Sequence, residues 1–382
     1  MKTLHVISGL HTGGAEVMLL RLLEHLQTST HEPYVIGLTH PGHISECIAE
    51  LGIPVEMLNS RRRVPDPSIV LNVARSMRRF RPDVVQTWMY HSDLIGGLAA
   101  RAAGNPPVAW CLQQGDLSPH LNKRSTLLTA RACALLSSRL PAAIVCCAES
   151  TRRLHVEFGY HPAKMLVIPN GFDVDRFRPD PDARLAIRRE LGLPEHGRLV
   201  GMLARFHPYK DHRNFVNAAG IVRQQRDDVH FVLAGARISW DNSELVSWID
   251  EAGIRDRIHL LGVRHDTPAV QASLDVACLS SRGEGLPLTV GEAMACGVPC
   301  AVTDVGDAAL LVGDTGRVVP PCDSAALAEA CLSLLSLNAE DHRRLGESAR
   351  RRIAARYSLP WVARQYAELH ERLANRAIPC PA

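Results

Sequence analysis

The sequence predicts an α/β fold with two doubly wound, Rossmann-like domains that face each other across a cleft. Its 382 residues exceed what one ordinary hydrophobic core needs and suit two domains. Short apolar strands alternate with amphipathic helices twice along the chain, which is typical of parallel sheets. A Pro-rich interruption over residues 173–197 predicts the linker. Such sheets bind ligands beyond the carboxyl ends of their strands, where the strand order reverses.

The N-terminal domain is predicted over residues 1–172. A short apolar strand at residues 4–8 leads through a glycine loop into an amphipathic helix over residues 15–27. The same alternation then continues to the interruption. Its further predicted elements are strands at 34–38, 55–58, 83–86, 142–147 and 165–168 and a helix over 67–80.

The C-terminal domain is predicted over residues 198–358, where the alternation begins again. A last amphipathic helix over residues 359–376 is predicted to pack back onto the first domain. The predicted elements of the second domain are strands at 199–203, 230–234, 258–261, 276–279, 299–302 and 316–319, and helices over 214–225 and 243–252 and from 324 and 340.

Composition excludes several functional classes. A net charge of only +3 argues against nucleic acid as a partner. Eleven cysteines without a CxxC pair, and no signal-peptide pattern, predict free thiols in the cytoplasm. No apolar run approaches about 18 residues, so no membrane-spanning helix is expected. Basic clusters at residues 61–63 and 78–81 are either solvated or contact an anionic membrane peripherally; nothing in the sequence predicts an oligomeric state.

The stretch over residues 281–300 carries two glutamates eight positions apart. Glu284 lies in a loop broken by Gly and Pro, and Glu292 is predicted to open a helix of small residues. Free N–H groups at a helix start and nearby glycines suit a phosphorylated, hydroxyl-rich ligand. A glycosidase acid and nucleophile are one alternative, and a capping role for Glu292 is another. Binding roles are favoured for both, because the two side chains are expected to reach different parts of the ligand.

Two cations follow the first strand of the second domain. Arg205 and Lys210 are separated by a turn that Pro208 imposes. A guanidinium fork and an ammonium point charge at the carboxyl end of a strand can converge on one diphosphate. The alternative is that both side chains are simply solvated.

The first domain offers two weaker candidates. Gly13-Gly14 stands between the first strand and helix, where free amides can hold phosphate, although it is neither GxGxxG nor a P-loop and a plain tight turn is the alternative. His91 follows the strand at 83–86 and is predicted at the cleft mouth, or else as a partly buried histidine. A dehydrogenase is disfavoured, because Glu32 precedes the second strand rather than ending it.

A metal site is not predicted. The segment Asp173-Val-Asp175 has DxD spacing, but no further acidic residue is near in sequence, and a structural Asx-type turn is favoured. No other set of His, Cys and carboxylates has metal-ligand spacing.

Together these motifs resemble the retaining GT-B glycosyltransferases of family 4. The run from Glu284 to Glu292 resembles that family's E-x7-E signature, and Arg205 with Lys210 resembles its phosphate-binding pair. The segment 168–177 resembles its interdomain segment, and the Gly13-Gly14 loop with residues 88–93 fits its N-terminal half. Gly306-Asp307 departs from the longer glycine-rich turn of many members.

The resemblance implies a nucleotide-diphosphate sugar as donor and metal-independent, same-face displacement with retention. It implies that Glu292 holds the ribose, that Glu284 contacts the sugar, and that the acceptor enters near Gly13-Gly14 and His91. It also implies that the base lies near residues 262–264 and that the amides around residues 288–289 join the two cations at the diphosphate. The implied catalytic residues are Arg205, Lys210, Glu284 and His91. The implied donor-binding residues are Gly13, Gly14, Gly262, Val263, Arg264, Gly285, Leu286, Pro287, Leu288, Thr289 and Glu292.

Three questions stay open at the level of sequence. The acceptor is a glycan, a lipid-linked or a small molecule, and the donor base and sugar are not specified. A nucleotide-sugar epimerase and a non-catalytic nucleotide-sugar binder are the alternative functions. The expected location is the cytoplasm, either free or peripheral at the inner face of the membrane.

Overall fold

The first of two compact units contains a parallel sheet. The computed structural model describes residues 1–11, 13–26, 31–60, 67–194 and 196–375, and this unit comprises Met1–Gly171 with the segment from Leu359 onward. Among the described residues the sheet has the order β3-β2-β1-β4-β5-β6-β7. Its strands are β1 (Lys2–Ile7), β2 (Glu32–Gly37), β3 (Val55–Met57), β4 (Val84–Trp88), β5 (Val108–Leu112), β6 (Ala143–Cys146) and β7 (Met165–Val167).

Helices cover this sheet because each presents an apolar stripe. The first helix buries Leu19, Leu22, Leu23 and Leu26, which recur at helical spacing. A fully buried leucine stabilises the fold by about 1.5–3 kcal/mol, so this stripe fixes the face that meets the strands. The first six helices are α1 (Gly14–Leu26), α2 (His43–Glu50), α3 (Ser68–Phe80), α4 (Tyr90–Ala102), α5 (Arg124–Leu136) and α6 (Glu149–Glu157).

The second unit, Phe172–Ser358, repeats the architecture. Its sheet, again parallel, has the order β10-β9-β8-β11-β12-β13 in the described residues. The two sheets confirm the predicted doubly wound α/β class. The strands are β8 (Arg198–Leu203), β9 (Val229–Ala234), β10 (Ile258–Leu260), β11 (Val276–Leu279), β12 (Cys300–Thr303) and β13 (Gly316–Val319). The helices are α7 (Pro181–Glu190), α8 (His212–Gln225), α9 (Ser243–Glu251), α10 (Thr267–Ser273), α11 (Leu288–Ala295), α12 (Ala308–Val312), α13 (Ser324–Leu335) and α14 (Ala339–Arg356).

In each sheet one pair of neighbouring strands marks the reversal of strand order. In the first sheet β1 lies beside β4, and in the second β8 lies beside β11. After β1 and after β8 the chain first adds strands on one side of the starting strand. It then crosses back and adds the remaining strands on the other side, beginning with β4 and β11. Loops that follow these strands therefore meet at the carboxyl edge, where doubly wound folds bind ligands.

The segment 173–197, predicted as the linker, lies within the second unit. Asp180 caps α7 by accepting a hydrogen bond from the Ala183 N–H at 2.9 Å. The helix is then held by the buried Asp275 carboxylate, which contacts Arg184 at 2.8 Å and Arg188 at 3.2 Å. Burial opposes the charged form of Asp275, yet the nearby guanidinium charges keep its pKa below the usual value.

The final helix, α15 (Leu359–Ala374), belongs to the first unit. Its buried Leu359, Val362 and Tyr366 share one hydrophobic cluster with α1. Two buried polar contacts add specificity: the His370 Nε2 lies 3.1 Å from the Gln86 Oε1, and the Tyr366 hydroxyl lies 3.5 Å from the Cys111 Sγ. The helix predicted over residues 359–376 is thus a helix of this unit, and residues 376–382 lie outside the described part.

A carboxyl group is buried inside the first unit. Asp93 is fully buried in the first turn of α4, and its Oδ1 accepts a hydrogen bond from the Thr87 hydroxyl at 2.5 Å. The Oδ2 atom has no hydrogen-bond partner among the described residues. Burial raises the pKa of Asp93 to about 7, against the hydrogen bonds from Thr87 and the Cys111 backbone. Asp93 is therefore protonated in the native state under mildly acidic conditions.

Replacing Asp93 by Asn is expected to flatten part of the pH dependence of stability. In the unfolded chain this carboxyl loses its proton near pH 4, whereas the native state keeps it to about pH 7. Between these values the native state binds one more proton, so stability falls as pH rises, by about 1.4 kcal/mol per pH unit. Urea unfolding of Asp93→Asn should lack this decline relative to wild type. Wild-type and variant stabilities that change in parallel between pH 5 and 7.5 would refute this reading, and Asp116→Asn, in a surface loop, is the control.

Candidate functional site

The best-formed polar site lies at the carboxyl edge of the second sheet. Lys210 ends a short 3-10 turn after β8, and Glu284 lies in the loop after β11. The Lys210 Nζ is 2.5 Å from the Glu284 Oε1, and the Ser281 hydroxyl donates to the same oxygen at 2.6 Å. The side chains of Lys210 and Glu284 are only 25% and 12% exposed, respectively. Strand order thus brings together two predicted site residues that are 74 positions apart in sequence.

A second layer of contacts fixes the backbone of Lys210. The Ser280 hydroxyl donates to the carbonyl oxygens of Lys210 and Asp211 at 2.9 and 3.0 Å. The Arg282 Nε contacts the buried Asp211 carboxylate at 2.7 Å. Asp211 adopts a left-handed conformation, φ 46°, and caps α8 by accepting from the Asn214 N–H. Sequence reasoning assigned no role to Ser280, Asp211 or Arg282, although Asp211 directly follows Lys210 and Arg282 lies within the stretch 281–300.

Arg205 is the exposed member of the site. Its guanidinium makes no hydrogen bond or ion pair with any residue that the structure describes, so it is available to a ligand. The pKa of the nearby His207 imidazole is lowered, first by burial and then by the positive charges of Arg205 and Lys210. Both cations thus lie close enough to one imidazole to act on its pKa, and their shared contact with a diphosphate stays a prediction.

The prediction that Glu292 opens a helix is wrong. Helix α11 begins at Leu288, so Glu292 is its fifth residue and is buried. Gly291 lies inside this helix although glycine is a poor helix former. A larger residue is excluded at this position, because its Cβ atom would come within 2.2 Å of the Phe172 ring. Packing has overridden local propensity at this position. The observed start of α11 at Leu288 coincides with the residues whose backbone amides are predicted to contact the donor.

The first turn of α11 supplies backbone amides. Pro287 stands at the N-cap position and offers no side-chain cap, and Leu288 and Thr289 are half-buried. The first N–H groups of a helix lack intrahelical acceptors and carry its positive dipole end. The Gln271 side chain donates to the Thr289 carbonyl at 3.0 Å and holds this turn in place. The geometry fits the predicted role of Leu288 and Thr289 toward phosphate.

Gly306 and Asp307 form the wall beside Glu284. The Asp307 N–H donates to the Gly285 carbonyl at 2.9 Å. Gly306 has φ 58°, and a Cβ atom there would lie 2.3 Å from the Glu284 carbonyl oxygen and 2.4 Å from that of Gly285. Only glycine fits, because both the conformation and the close approach exclude a side chain. The short turn after β12 thus sets the position of the Glu284 loop.

The predicted base-binding loop after β10 is only partly available. The Gly235 N–H donates to the Gly262 carbonyl at 2.6 Å, which links the loops after β9 and β10. Val263 is exposed. The Arg264 guanidinium, however, contacts Glu190 at 2.7 Å and Asp266 at 2.6 Å. It already pairs with two carboxylates, so Gly262 and Val263 remain the better candidates for a base.

In the first unit, Gly13 and His91 follow the two strands at which that sheet reverses order. The Ser8 and Ser92 hydroxyls, 3.1 Å apart, connect these two loops. His91 is exposed in the first turn of α4, with its Nε2 3.5 Å from the Thr129 hydroxyl. Gly14 opens α1, and the Glu16 carboxylate folds over Gly13, 2.4 Å from the place of a Cβ atom. An anion at Gly13-Gly14 would have to displace that carboxylate, so this part of the prediction is weakened.

Candidate metal ligands are not clustered. Among the described residues no group of three or more His, Cys, Asp or Glu side chains is arranged around a common point. The Asp173 carboxylate accepts from the N–H groups of Asp175 and Arg176 at 3.0 and 2.9 Å, which confirms the predicted Asx-type turn. Metal independence itself stays a prediction. No helix in the described part of the chain has the length and apolar character needed to cross a bilayer.

Two family models match successive parts of the sequence. The model described as Glycosyltransferase Family 4 matches residues 12–176, and the model described as Glycosyl transferases group 1 matches residues 197–337. The first match falls on the first unit and the second on the unit that holds Lys210 and Glu284. Together they cover the strands of both sheets except β1.

Curated relatives are similar over part of their length. UDP-Gal:alpha-D-GlcNAc-diphosphoundecaprenol alpha-1,3-galactosyltransferase from Escherichia coli is 25% identical over 246 residues, 63% of each protein. Putative glycosyltransferase EpsF from Bacillus subtilis is 25% identical over 311 residues, 79% of each. Lipopolysaccharide core biosynthesis mannosyltransferase LpsB from Rhizobium meliloti is 30% identical over 218 residues, 54% of this chain and 60% of LpsB.

Solved structures share the fold over nearly the whole chain. HepE from Anabaena, determined in complex with UDP and glucose, superimposes with a TM-score of 0.85 at 23% identity, covering 97% of this chain and 99% of HepE. Sucrose-phosphate synthase from Thermosynechococcus elongatus gives 0.83 at 19% identity, covering 99% and 100%. At these identities the likeness shows the two-domain α/β fold.

Proposed function

The chain belongs to the family 4 and group 1 glycosyltransferases, and from this premise we propose that it moves a sugar from a nucleotide-diphosphate sugar to a hydroxyl of an acceptor. The observation that carries the proposal is the Lys210–Glu284 contact at the carboxyl edge of the second sheet. Arg205, which has no hydrogen-bond or ion-pair partner among the described residues, follows the same strand as Lys210, and the first amides of α11 follow Glu284 in the chain. This set matches a ligand that combines a diphosphate with sugar hydroxyls.

The cations and amides supply the electrostatic part of the reaction. When the bond between the anomeric carbon and the phosphate oxygen breaks, negative charge grows on the departing diphosphate. Positioned donors in a partly buried site stabilise such charge more than water does. Lys210 is held by Glu284 and by its backbone contacts, so it needs little reorganisation during the reaction. Arg205 adds a second cation from the loop surface.

Retention follows from a same-face displacement in this proposal. The acceptor oxygen attacks the anomeric carbon on the face that the diphosphate leaves, and the acceptor's proton passes to a leaving phosphate oxygen. No side chain acts as nucleophile. Glu284 positions Lys210 and contacts the sugar, and Glu292 holds the ribose. His91, with Gly13 and Gly14, borders the acceptor. Neither a metal nor another cofactor is required, and an assay in EDTA checks this.

The relatives suggest where to look for substrates. HepE was determined with UDP and glucose, and the name of the Escherichia coli relative specifies UDP-galactose and a diphosphoundecaprenol acceptor. We therefore place uridine donors and lipid-linked or glycan acceptors first. This assignment also implies a cytoplasmic enzyme that works at the inner face of the membrane. The basic cluster Arg61–Arg63, for which solvation and lipid contact are the two alternatives, lies outside the described residues.

Thermal unfolding in the presence of nucleotide sugars tests the donor. A donor at 100 times its Kd should stabilise the protein by about 2.7 kcal/mol through mass action. The stabilising sugar is then incubated with and without acceptors, and the anomeric configuration of the product is read by NMR. Transfer with retention is the expected result. Inversion, or conversion of the free donor without any acceptor, would overturn the proposal, the latter in favour of an epimerase. Donor binding with no chemistry would favour a non-catalytic binder.

A further inference from the structure

A long stretch of the first unit carries no negative charge. No Asp or Glu occurs between Asp116 and Glu149, whereas Lys123, Arg124, Arg131 and Arg139 all lie there. Helix α5 occupies the middle of this stretch. Because both signs of charge normally mix on a protein surface, a one-sided stretch of this length indicates a preferred partner.

The outward face of α5 combines these cations with large apolar side chains. Leu128 and Leu135 are 69% and 82% exposed. They are seven residues apart, or two helical turns, and thus project from the same face. Arg124 and Arg131, both exposed, lie four residues before and three residues after Leu128, so they share this face. The opposite face of α5 packs inward through Ala130, Cys133 and Ala134.

The same character continues onto α4. Leu98 is 39% exposed, and Arg101 lies three residues further along the same helix face. The Arg101 guanidinium donates to the Arg139 carbonyl, which places the ends of α4 and α5 side by side. We call the surface formed by Leu98, Arg101, Arg124, Leu128, Arg131, Leu135 and Arg139 the α4–α5 face.

Acidic groups near the α4–α5 face are mostly unavailable. Asp93 is buried, and Glu149 is bonded to Arg152 at 2.6 Å. Glu157, on α6, is exposed. Arg131 lies with its guanidinium carbon 5.0 Å from the centroid of the Phe158 ring, an aromatic contact that leaves its charge in place. The net field of this surface is therefore positive.

We propose that the α4–α5 face docks on the surface of a bilayer that contains anionic lipid. The leucines would enter the boundary between headgroups and acyl chains while the arginines pair with lipid phosphates, as in interfacial helices. A protein partner fits less well, because the energetic centres of protein interfaces are rich in aromatic residues and poor in Leu, whereas the apolar members of this face are leucines. The docking does not depend on sugar transfer. It is also a different surface from the Arg61–Arg63 cluster.

If the proposed function holds, docking also orients the enzyme. The Thr129 hydroxyl, on α5, lies 3.5 Å from the His91 Nε2. A surface seated on α5 would therefore adjoin the residue predicted to border the acceptor. A lipid-linked acceptor would then reach the enzyme from the membrane on which it sits.

Co-sedimentation of the full chain with vesicles tests the proposal. Wild type should bind vesicles of equal parts phosphatidylglycerol and phosphatidylcholine and bind pure phosphatidylcholine much less. The pair Leu128→Ser with Leu135→Ser should lower the partition coefficient at least tenfold. Arg124→Gln and Arg139→Gln should each lower it about fivefold, the effect of about 1 kcal/mol per cation. The matched control is Leu310→Ser, on α12 of the second unit and 55% exposed; it should change binding less than twofold.

Three outcomes would overturn the proposal. The first is failure of wild type to prefer anionic vesicles, and the second is an equal effect of the leucine pair and the Leu310 control. The third is leucine-dependent self-association without vesicle binding, which would assign the face to a second copy of the chain. Thermal unfolding with donor present shows that each variant is folded and keeps its donor site. Loss of vesicle binding with unchanged donor stabilisation thus separates this inference from the proposed function.

Discussion

Lys210→Ala is expected to lower kcat by about 10²–10³-fold, the usual effect of removing one positioned donor to a developing charge. Its ammonium is 2.5 Å from the Glu284 carboxylate, and its backbone carbonyl accepts from the Ser280 hydroxyl. The charge is thus placed before the substrate arrives, and removing it also leaves Glu284 with one partner fewer. Arg205→Ala should cost about tenfold less, because that guanidinium is exposed and must be ordered on binding. Initial rates at saturating donor measure both.

A matched control separates charge position from charge number. Arg213 is an exposed cation on α8 that lies 3.9 Å from Glu251 and 6.0 Å from the centroid of the Trp248 ring. Arg213→Ala removes the same net charge as Arg205→Ala from a position three residues beyond Lys210, and it should leave kcat within twofold. Near-wild-type rates in both Lys210→Ala and Arg205→Ala would remove the basis for the assigned site. Equal losses in all three variants would instead indicate a nonspecific field.

Features of the site that are local in sequence were predictable, whereas contacts that depend on the order of the strands were not. The cations after β8 and the acidic loop after β11 stand out individually, because Pro208 and the glycines around Glu284 mark them as loops beyond strands. The contact between Lys210 and Glu284 was not predictable from spacing, since it exists only because β8 and β11 are neighbours in the sheet. Strand order is a property of the whole unit.

The errors in the prediction have two causes, long-range packing and the weak local signal of short buried strands. The start of α11 was misplaced because Gly291 disfavours a helix locally, whereas the Phe172 ring leaves no room for a larger residue. The assignment of Arg264 to the base stays a prediction, although its guanidinium pairs with Glu190, 74 residues earlier. Strand β5 was not predicted at all, because a buried apolar run of five residues has no periodicity that separates strand from helix.

Gly306→Ala is expected to lower kcat by about a hundredfold, as displacements near 1 Å at a catalytic group do. The added Cβ atom would fall 2.3 Å from the Glu284 carbonyl oxygen and 2.4 Å from that of Gly285. Both obstacles are backbone atoms, so the clash cannot be relieved by a side-chain rotation. The loop must shift, and it carries the carboxylate that holds Lys210. Steady-state kinetics and thermal unfolding of the variant measure the two consequences.

Gly253→Ala is the matched control for Gly306→Ala. Gly253 lies in the same unit with a similar φ of 66°, but no atom lies within 4 Å of its added Cβ position. It should lose about 1 kcal/mol of stability from the left-handed conformation and keep its activity. If Gly306→Ala behaves in the same way, backbone strain alone explains it, and the wall beside Glu284 has no part in catalysis.

A double-mutant cycle decides whether Gly306 acts through Lys210. If Gly306→Ala displaces the Glu284 loop, the ammonium of Lys210 is already misplaced in that variant. Adding Lys210→Ala should then cost far less than its loss of about 10²–10³-fold in the wild-type background. Strict additivity of the two losses would mean that the turn after β12 supports the fold of the second unit without positioning its charge. Non-additivity would identify the turn as the element that positions Glu284 against Lys210. The backbone conformation of Gly306 would then determine where the Lys210 charge meets the leaving diphosphate.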